Sequence, residues 1–298
     1  MNFSTAEMHQ LLVSAEHAAR QAAAIIQQAD RQALDISRKS TGTSEASQVV
    51  TQIDTDCEAA IFAALESCTK QFDLGWLGEE SAQFVEGQLQ SRLEKTAFWC
   101  IDPLDGTLPF IHNEPGYAVA VALVSKAGEP LLGVVLDPRT DSLYSAGVHQ
   151  RITVQEAAAC TKPEALRFHT DRSFLTHSHY RDRVAGLTQV AQSLGYSALQ
   201  VVAGKGAVMN ACAVLDDPHS FYLKLPKKTE GGGCLWDFSA TCALFQAAEK
   251  PVSDCNNRPL RLNNPESLYM NEAGVLYSGD HQLHQELIDW LRVLPSFS

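Results

Sequence analysis

No two cysteines of this chain stand in a CxxC pair. The eight lie at 57, 68, 100, 160, 212, 234, 242 and 255. That spacing argues against a structural zinc site, and apolar or small neighbours surround most of the eight, so buried free thiols in a reducing compartment are expected. The pair in "HSH" at 177–179 reads as loop rather than as ligands. Long apolar runs are missing too: the longest, "AVAVALV" at 118–124, is far too short to span a bilayer. The opening "MNFSTAEMHQLLVSAEHAARQAAAIIQQAD" lacks the basic and then apolar regions of a secretory signal. The expectation is a cytoplasmic protein without a membrane partner. Positive charge is scarce. With 23 Lys+Arg against 35 Asp+Glu the net charge is -12, which steers nothing toward a nucleic acid backbone. A carboxylate surplus suits divalent cations, although solubility alone also accounts for it. There is no internal repeat, and no low-complexity tract beyond "GGG" at 231–233.

What remains is an ordinary globular composition, 45% hydrophobic and 19% charged, over 298 residues. That length favours two domains with a cleft between them. Leu11, Leu12, Ala15, Ala18, Ala19, Ala22, Ile25, Ile26 and Ala29 recur at helical spacing and predict a long helix over 5–37. The polar "RKSTGTSEASQ" at 38–48 reads as a mobile loop, and a helical pattern resumes behind Thr51. "FDLGWLGEES" reads as a short strand running into an acidic turn, and "AFWCID" as a buried strand ending at Asp102. "GYAVAVALVS", "PLLGVVLDP" and "DSLYSAG" continue as an antiparallel meander. An N-terminal α+β domain is thus expected over 1–150. Beyond it, helices near 180–194, 205–213, 236–249 and 281–292 alternate with strands near 198–203, 220–225 and 273–278, which predicts an α/β domain over 151–298.

The chemistry concentrates in "DPLDGT" at 102–107. Pro103 disfavours a helical conformation for Asp102, so Asp102 and Asp105 are expected to meet across a turn, with the Leu104 carbonyl turned to the same point. Two carboxylates that close repel unless a cation compensates them. Oxygen-only donors in a compact turn suit a hard cation, Mg²⁺ above all where phosphate must also bind. Gly106 leaves the backbone N–H groups behind it open to an anion. The bland alternative is an Asx-turn.

Taken with "VVTQIDTD" at 49–56, "GEES" at 78–81 and "WDFSA" at 236–240, this motif resembles the inositol monophosphatase superfamily, Mg²⁺-dependent, lithium-sensitive phosphomonoesterases. The resemblance spans about residues 39–278 and implies a two-lobed, layered αβαβα sandwich. It implies that Glu79, Asp102 and the Leu104 carbonyl hold a first ion, and that Asp102, Asp105 and Asp237 hold a second. A third, weakly held ion would lean on Glu79, giving two or three Mg²⁺ per site. Thr107 with Glu79, supported by Asp54, matches the group that activates water. For Asp54 a capping box, T-x-x-D, is the competing reading. Asp105, Gly106 and Thr107 would also meet the substrate. A homodimer is implied by resemblance alone.

Two features divide the substrate assignment. Glu230, seven residues before Asp237, stands where inositol monophosphatases hold a carboxylate for ring hydroxyls. The tail "RPLRLNNPESLYMNEAGVLYSG" at 258–279 resembles instead the bisphosphate nucleotidases, which release the 3'-phosphate of 3'-phosphoadenosine 5'-phosphate. There are departures from both: "LPF" follows Gly106-Thr107, and "GKGAVMN" at 204–210 lacks the usual serine. In "KLPKKTEGGGCLWD", Lys224, Lys227 and Lys228 either receive a second phosphate or form a solvated loop. Lys39 resembles a lysine near the third ion. The longer tail match favours the nucleotidase, with inositol monophosphatase as the alternative. A regulatory binding protein with a vestigial site is the reading of another class, and the filled acidic positions oppose it.

Overall fold

The computed structural model describes residues 3–31, 36–38, 49–82, 86–147, 162–176 and 178–294. Helix α1, Thr5–Gln28, starts at a capping box: Ser4 Oγ accepts from Glu7 N–H, and the Glu7 carboxylate accepts from Ser4 N–H at 2.7 Å. Its apolar stripe from Leu11 to Ile26 is buried. The helix stops nine residues before the expected end at 37. Ala29 is extended, and Ile36–Arg38 (β1) pairs antiparallel with Val49–Thr51 (β2). After Ile26 the run Gln27–Arg31 offers only Ala29 to the apolar core, and the chain leaves the helix there before pairing as β1 with β2. The loop predicted at 38–48 lies, from residue 39 on, outside the described residues.

Helix α2, Gln52–Phe72, lies along α1. A first sheet follows, built of β3 (Gly75–Gly78), β4 (Ala97–Asp105), β5 (Ala118–Ser125), β6 (Pro130–Asp137) and β7 (Ser142–Gly147) in that spatial order. β3 runs parallel to β4, and the rest is the expected antiparallel meander. Between β3 and β4 lies α3, Glu86–Glu94, which the sequence pattern did not predict. One expectation is corrected: β4 does not end at Asp102 but runs to Asp105, and the two aspartates are separated by a register shift rather than a free turn. Asp102 faces Ala120 and Asp105 faces Ala118, so β4 carries one residue more than β5 there. Pro103, with no N–H to donate, sits where that ladder is broken. Helix α4, Thr107–Ile111, comes next.

The second sheet has the order β11, β12, β10, β8, β9. Its strands are β8 (Ala165–Thr170), β9 (Ala198–Ala203), β10 (Ser220–Lys224), β11 (Val252–Ser253) and β12 (Val275–Ser278). β8 is parallel to both β9 and β10, while β12 is antiparallel to β10 and β11. Its helices are α5 (Arg172–Leu175), α6 (Tyr180–Ser193), α7 (Ala207–Leu215), α8 (Leu235–Ala247) and α9 (His281–Val293).

Alternation along the first sheet sets the layers. Trp99, Ile101, Val119, Val121 and Leu123 face α1 and α2, while Phe98, Cys100, Ala118, Ala120 and Ala122 face α7 and α8. The alanines leave room for α8 to lie close on the sheet, and a side chain at Gly133 would overlap the Ala240 carbonyl. Tyr222 and Tyr277 of the second sheet close the same central core, and α6 and α9 cover that sheet's far side. The result is helices, sheet, helices, sheet, helices: the αβαβα order. The proposed domain boundary at 150 falls within 148–161, outside the described residues. Among the described residues no helix is long and apolar enough to cross a membrane.

Candidate metal centre

Asp102 and Asp105 come from the irregular end of β4, and Asp237 from the first turn of α8. One carboxylate oxygen of each lies within 4.8 Å of the others. Each is also fixed by backbone donors. Asp102 Oδ1 accepts from Leu104 N–H at 3.2 Å, the contact of an Asx-turn. Asp105 gives both oxygens to the start of α7, accepting from Ala207 and Val208 N–H at 3.0 Å each. Asp237 caps α8 reciprocally with Cys234: its carboxylate accepts from Cys234 N–H, and the thiol accepts from Asp237 N–H.

Burial pushes Asp102 well above the usual carboxylate range, and Glu79, Asp105 and Asp237 push it further. Asp105 is raised in the same way, by burial and then Asp237, against the opposing Val208 N–H and Lys224. Asp237 is raised to about 6, by burial first and with Lys224 opposing. Asp102 and Asp105 are buried and Asp237 partly so, and three carboxylates that resist ionising together are stabilised by a cation. The nearby Cys234 thiol is held well above its ordinary range by burial and then Asp237. The donor set fits a hard divalent cation.

Glu79 lies outside the trio, but its side chain hydrogen-bonds to Asp102, and its N–H donates to Ile101 O at 3.1 Å. Thr107 Oγ1 donates to Asp54 Oδ1 at 3.1 Å and approaches Leu104 O at 3.3 Å. The Thr51 side chain, the other half of the competing capping box, is outside the described residues. One turn past Asp54, and not picked out from sequence, Glu58 is buried under the "GEES" turn: its Oε2 accepts from Glu80 N–H at 2.8 Å. The four-residue spacing of Asp54 and Glu58 on a helix was the signal that could have found it.

Three glycines join the sheets at this point. Gly106 has φ 83°, and the Gly116 carbonyl lies 2.7 Å from where its Cβ would be. The same carbonyl accepts from Gly206 N–H at 2.7 Å, and the Asp105 carboxylate occupies the space of a Gly206 side chain. A serine in "GKGAVMN" has no room at 206 with Asp105 so placed.

The three lysines part company. Lys224 ends β10, its side chain 13% exposed, with Nζ 2.9 Å from Asp171 Oδ2 and over the Phe238 ring. Burial opposes its charge, but Asp171, Asp237 and Asp105 outweigh that and hold the ammonium above its usual range. Asp171 also accepts from Tyr222 OH at 3.1 Å, a positioning role that the sequence did not signal. Lys227 is partly buried, and its pKa is lowered by burial and then by Lys224. Lys228 and Glu230 are exposed. The loop bearing them ends in Gly231, Gly232 and Gly233, at φ 106°, 79° and 88°, conformations that favour glycine. The tail frames this loop: Lys227 N–H donates to Asn271 O, Met270 N–H to Gly233 O, and Leu235 N–H to Leu268 O. Lys39 is outside the described residues.

Comparison with known proteins bears on the fold and the family. An inositol-1-monophosphatase of Mesorhizobium japonicum is 28% identical over 256 residues, 81% of this chain and 84% of that protein. A 3'(2'),5'-bisphosphate nucleotidase CysQ of Escherichia coli O6:H1 is 28% identical over 228 residues, 73% of this chain and 81% of that protein. An inositol monophosphatase 2 of Solanum lycopersicum is 36% identical, but over 98 residues, and the chain spans only 35% of its length. The structure of an inositol monophosphatase from Anabaena (Nostoc) sp. PCC 7120 superposes with a TM-score of 0.69 at 21% identity, covering 96% of this chain and 97% of that one. The model of the inositol monophosphatase family matches residues 7–292, and with the two-sheet fold and the acidic trio it places this chain in that family.

Proposed function

We propose that the protein is a Mg²⁺-dependent phosphomonoesterase that releases the 3'-phosphate of 3'-phosphoadenosine 5'-phosphate. The observation that carries the substrate assignment is Lys224, a buried ammonium beside the trio and held there by Asp171. A monoester with a second phosphate brings a further anion to this cation, which Asp171 already pairs. The kinship with a bisphosphate nucleotidase over 81% of that protein's length points the same way. The second reading, an inositol monophosphatase, is favoured by the Mesorhizobium relative and by Glu230.

In this reading Glu79, Asp102 and the Leu104 carbonyl hold one ion, and Asp102, Asp105 and Asp237 another, with a third leaning on Glu79. When bound, the ions supply charge to the phosphate oxygens and an acidified water for in-line displacement. Thr107 Oγ takes the water proton as it passes its own hydroxyl proton to Asp54 Oδ1, along the direction of the observed hydrogen bond. Asp105, with the Gly106 and Thr107 backbone, borders the ester. Lys224 neutralises the second phosphate, with Lys227 and Lys228 at the mouth. We carry the homodimer and the cytoplasmic location forward from resemblance and composition, and a sedimentation mass near that of one 32.5 kDa chain would contradict the dimer.

The test is phosphate release, with and without Mg²⁺, from 3'-phosphoadenosine 5'-phosphate, inositol 1-phosphate and fructose 1,6-bisphosphate in parallel. A kcat/KM preference for the nucleotide is the expected result. Preference for the inositol ester moves the assignment to the second reading, and no turnover of any ester with Mg²⁺ bound supports the regulatory binding protein.

A further inference from the structure

Glu58 has no place in the mechanism above, yet it is 4% exposed and sits against the turn that delivers Glu79. A buried carboxylate needs several donors to be tolerated. Glu58 finds them in one place: Glu80 N–H at 2.8 Å, together with the Ser81 N–H and hydroxyl. These are the residues immediately after Glu79. On the near side of the turn, Gly78 lies so close that any side chain there would overlap the Glu58 carboxylate. The turn is thereby clamped at both shoulders of Glu79, by exclusion at 78 and by hydrogen bonds at 80 and 81. The clamp stands on α2 one turn from Asp54, whose carboxylate holds Thr107. One rigid helix thus sets two separate parts of the site, and their relative placement is fixed by the 3.6-residue period rather than by a loop.

We infer that Glu58 is a positioning residue for Glu79: it holds the Gly78–Ser81 turn so that the Glu79 carboxylate is aimed at Asp102 before any ion arrives. The proposal rests on the reading of Glu79 as a Mg²⁺ ligand. Groups that support metal ligands contribute about 10- to 100-fold to affinity. The neutral amide of a glutamine presents an acceptor of the same reach to Glu80 N–H, whereas alanine leaves two N–H groups without their acceptor.

The experiment is calorimetric titration of Mg²⁺ alone into the full-length protein, paired with hydrogen exchange of the Glu80 and Ser81 amides in the metal-free state. Glu58→Ala is expected to weaken Mg²⁺ binding by about 10- to 100-fold and to speed exchange at both amides. Glu58→Gln is expected to recover most of the affinity and the protection. If Glu58→Ala proves unfolded by circular dichroism, Gly78→Ala and Ser81→Ala carry the test, each disturbing one shoulder of the clamp with Glu58 in place. Mg²⁺ affinity and amide exchange unchanged in the folded variants would overturn the proposal. A wild-type protein that binds no Mg²⁺ would overturn the metal reading itself, whereas unprotected Glu80 and Ser81 amides in the wild type would overturn the clamp alone.

Discussion

Asp102 is the most crowded of the acidic residues, 1% exposed and pressed by Glu79, Asp105 and Asp237. Replacing it with asparagine removes both a proposed ligand and a source of repulsion. Asp102→Asn should lower kcat/KM by more than the roughly 10²-fold that marks the upper end for merely supporting residues. In EDTA the same variant should melt higher than wild type, by about 2–4 °C for each kcal/mol of repulsion relieved; a lower melting point in EDTA would contradict the strained trio. A second single-residue effect lies far from the site. His284 is 7% exposed with its ring nitrogens 3.0 Å from Ser253 and Ser278 Oγ, and burial, then His281, depresses its pKa to about 4. The unfolded chain therefore takes up this proton first, and the stabilising contribution is complete above the ordinary value of 6.5 and lost as pH falls toward 4. The raised carboxylates of the trio act in the opposite sense, gaining relative stability as pH falls. The comparison must therefore be differential. Between pH 7 and 4.5, urea unfolding of wild type should lose up to about 1.4 kcal/mol per pH unit relative to His284→Gln, and parallel curves would contradict it.

At the level of elements, the site is an intersection of ends: the broken end of β4, the first turns of α7 and α8, and the first turn of α2. Gly206→Ala tests the α7 contribution, because a methyl there displaces the Asp105 carboxylate from the Ala207 and Val208 N–H groups. A shift of this kind costs about 10²-fold in kcat/KM, with about 1–3 kcal/mol of stability from overpacking; wild-type kinetics would show that Asp105 does not depend on that helix end. The same view explains what the sequence could tell. Helices α6 and α9 were legible because each has one buried face and a clear period, whereas α7, α8, β5 and β6, buried on both sides, were legible as apolar runs between turn signals. β8 was not picked out: Arg167 and His169 interrupt its six residues, although Leu166 and Phe168 carry its buried face. Asp102 and Asp105 were legible as a pair, but not the break in pairing between them, which depends on what β5 offers opposite. Asp171 was invisible as a site residue, since nothing local marks a carboxylate whose partner is 51 residues away, and Glu58, with its partner 22 residues away, was marked only by its four-residue spacing from Asp54.

Across the whole molecule, the two sheets share one centre: β4 brings Asp102 and Asp105 from the first, and α8, in the layer between the sheets, brings Asp237. A ligand that binds only this folded arrangement stabilises all of it. Mg²⁺ at about 100 times its dissociation constant should add about 2.7 kcal/mol, or about 5–10 °C in Tm for a chain of this size. Calorimetric scans of Asp237→Asn should show little of that rise, and an equal rise would mean that the ion is held by the first sheet alone. The layer order could be read only through the family resemblance that the four motifs carry, since hydrophobic periodicity marks which faces are covered and not how they stack. The separation of the layers could not, because it rests on Ala118, Ala120, Ala122 and Gly133 being small where α8 crosses them. That close crossing makes α8 a lever. Its sheet-facing middle rests on those alanines and its first turn carries Asp237, so two carbons added in the core, as in Ala120→Val, should tilt the arm and retune cation affinity with every acidic residue intact. Variation in the packing beneath α8 is thus a dial by which an active centre of this kind can drift between tight and loose metal holding while its acidic motifs stay letter for letter the same.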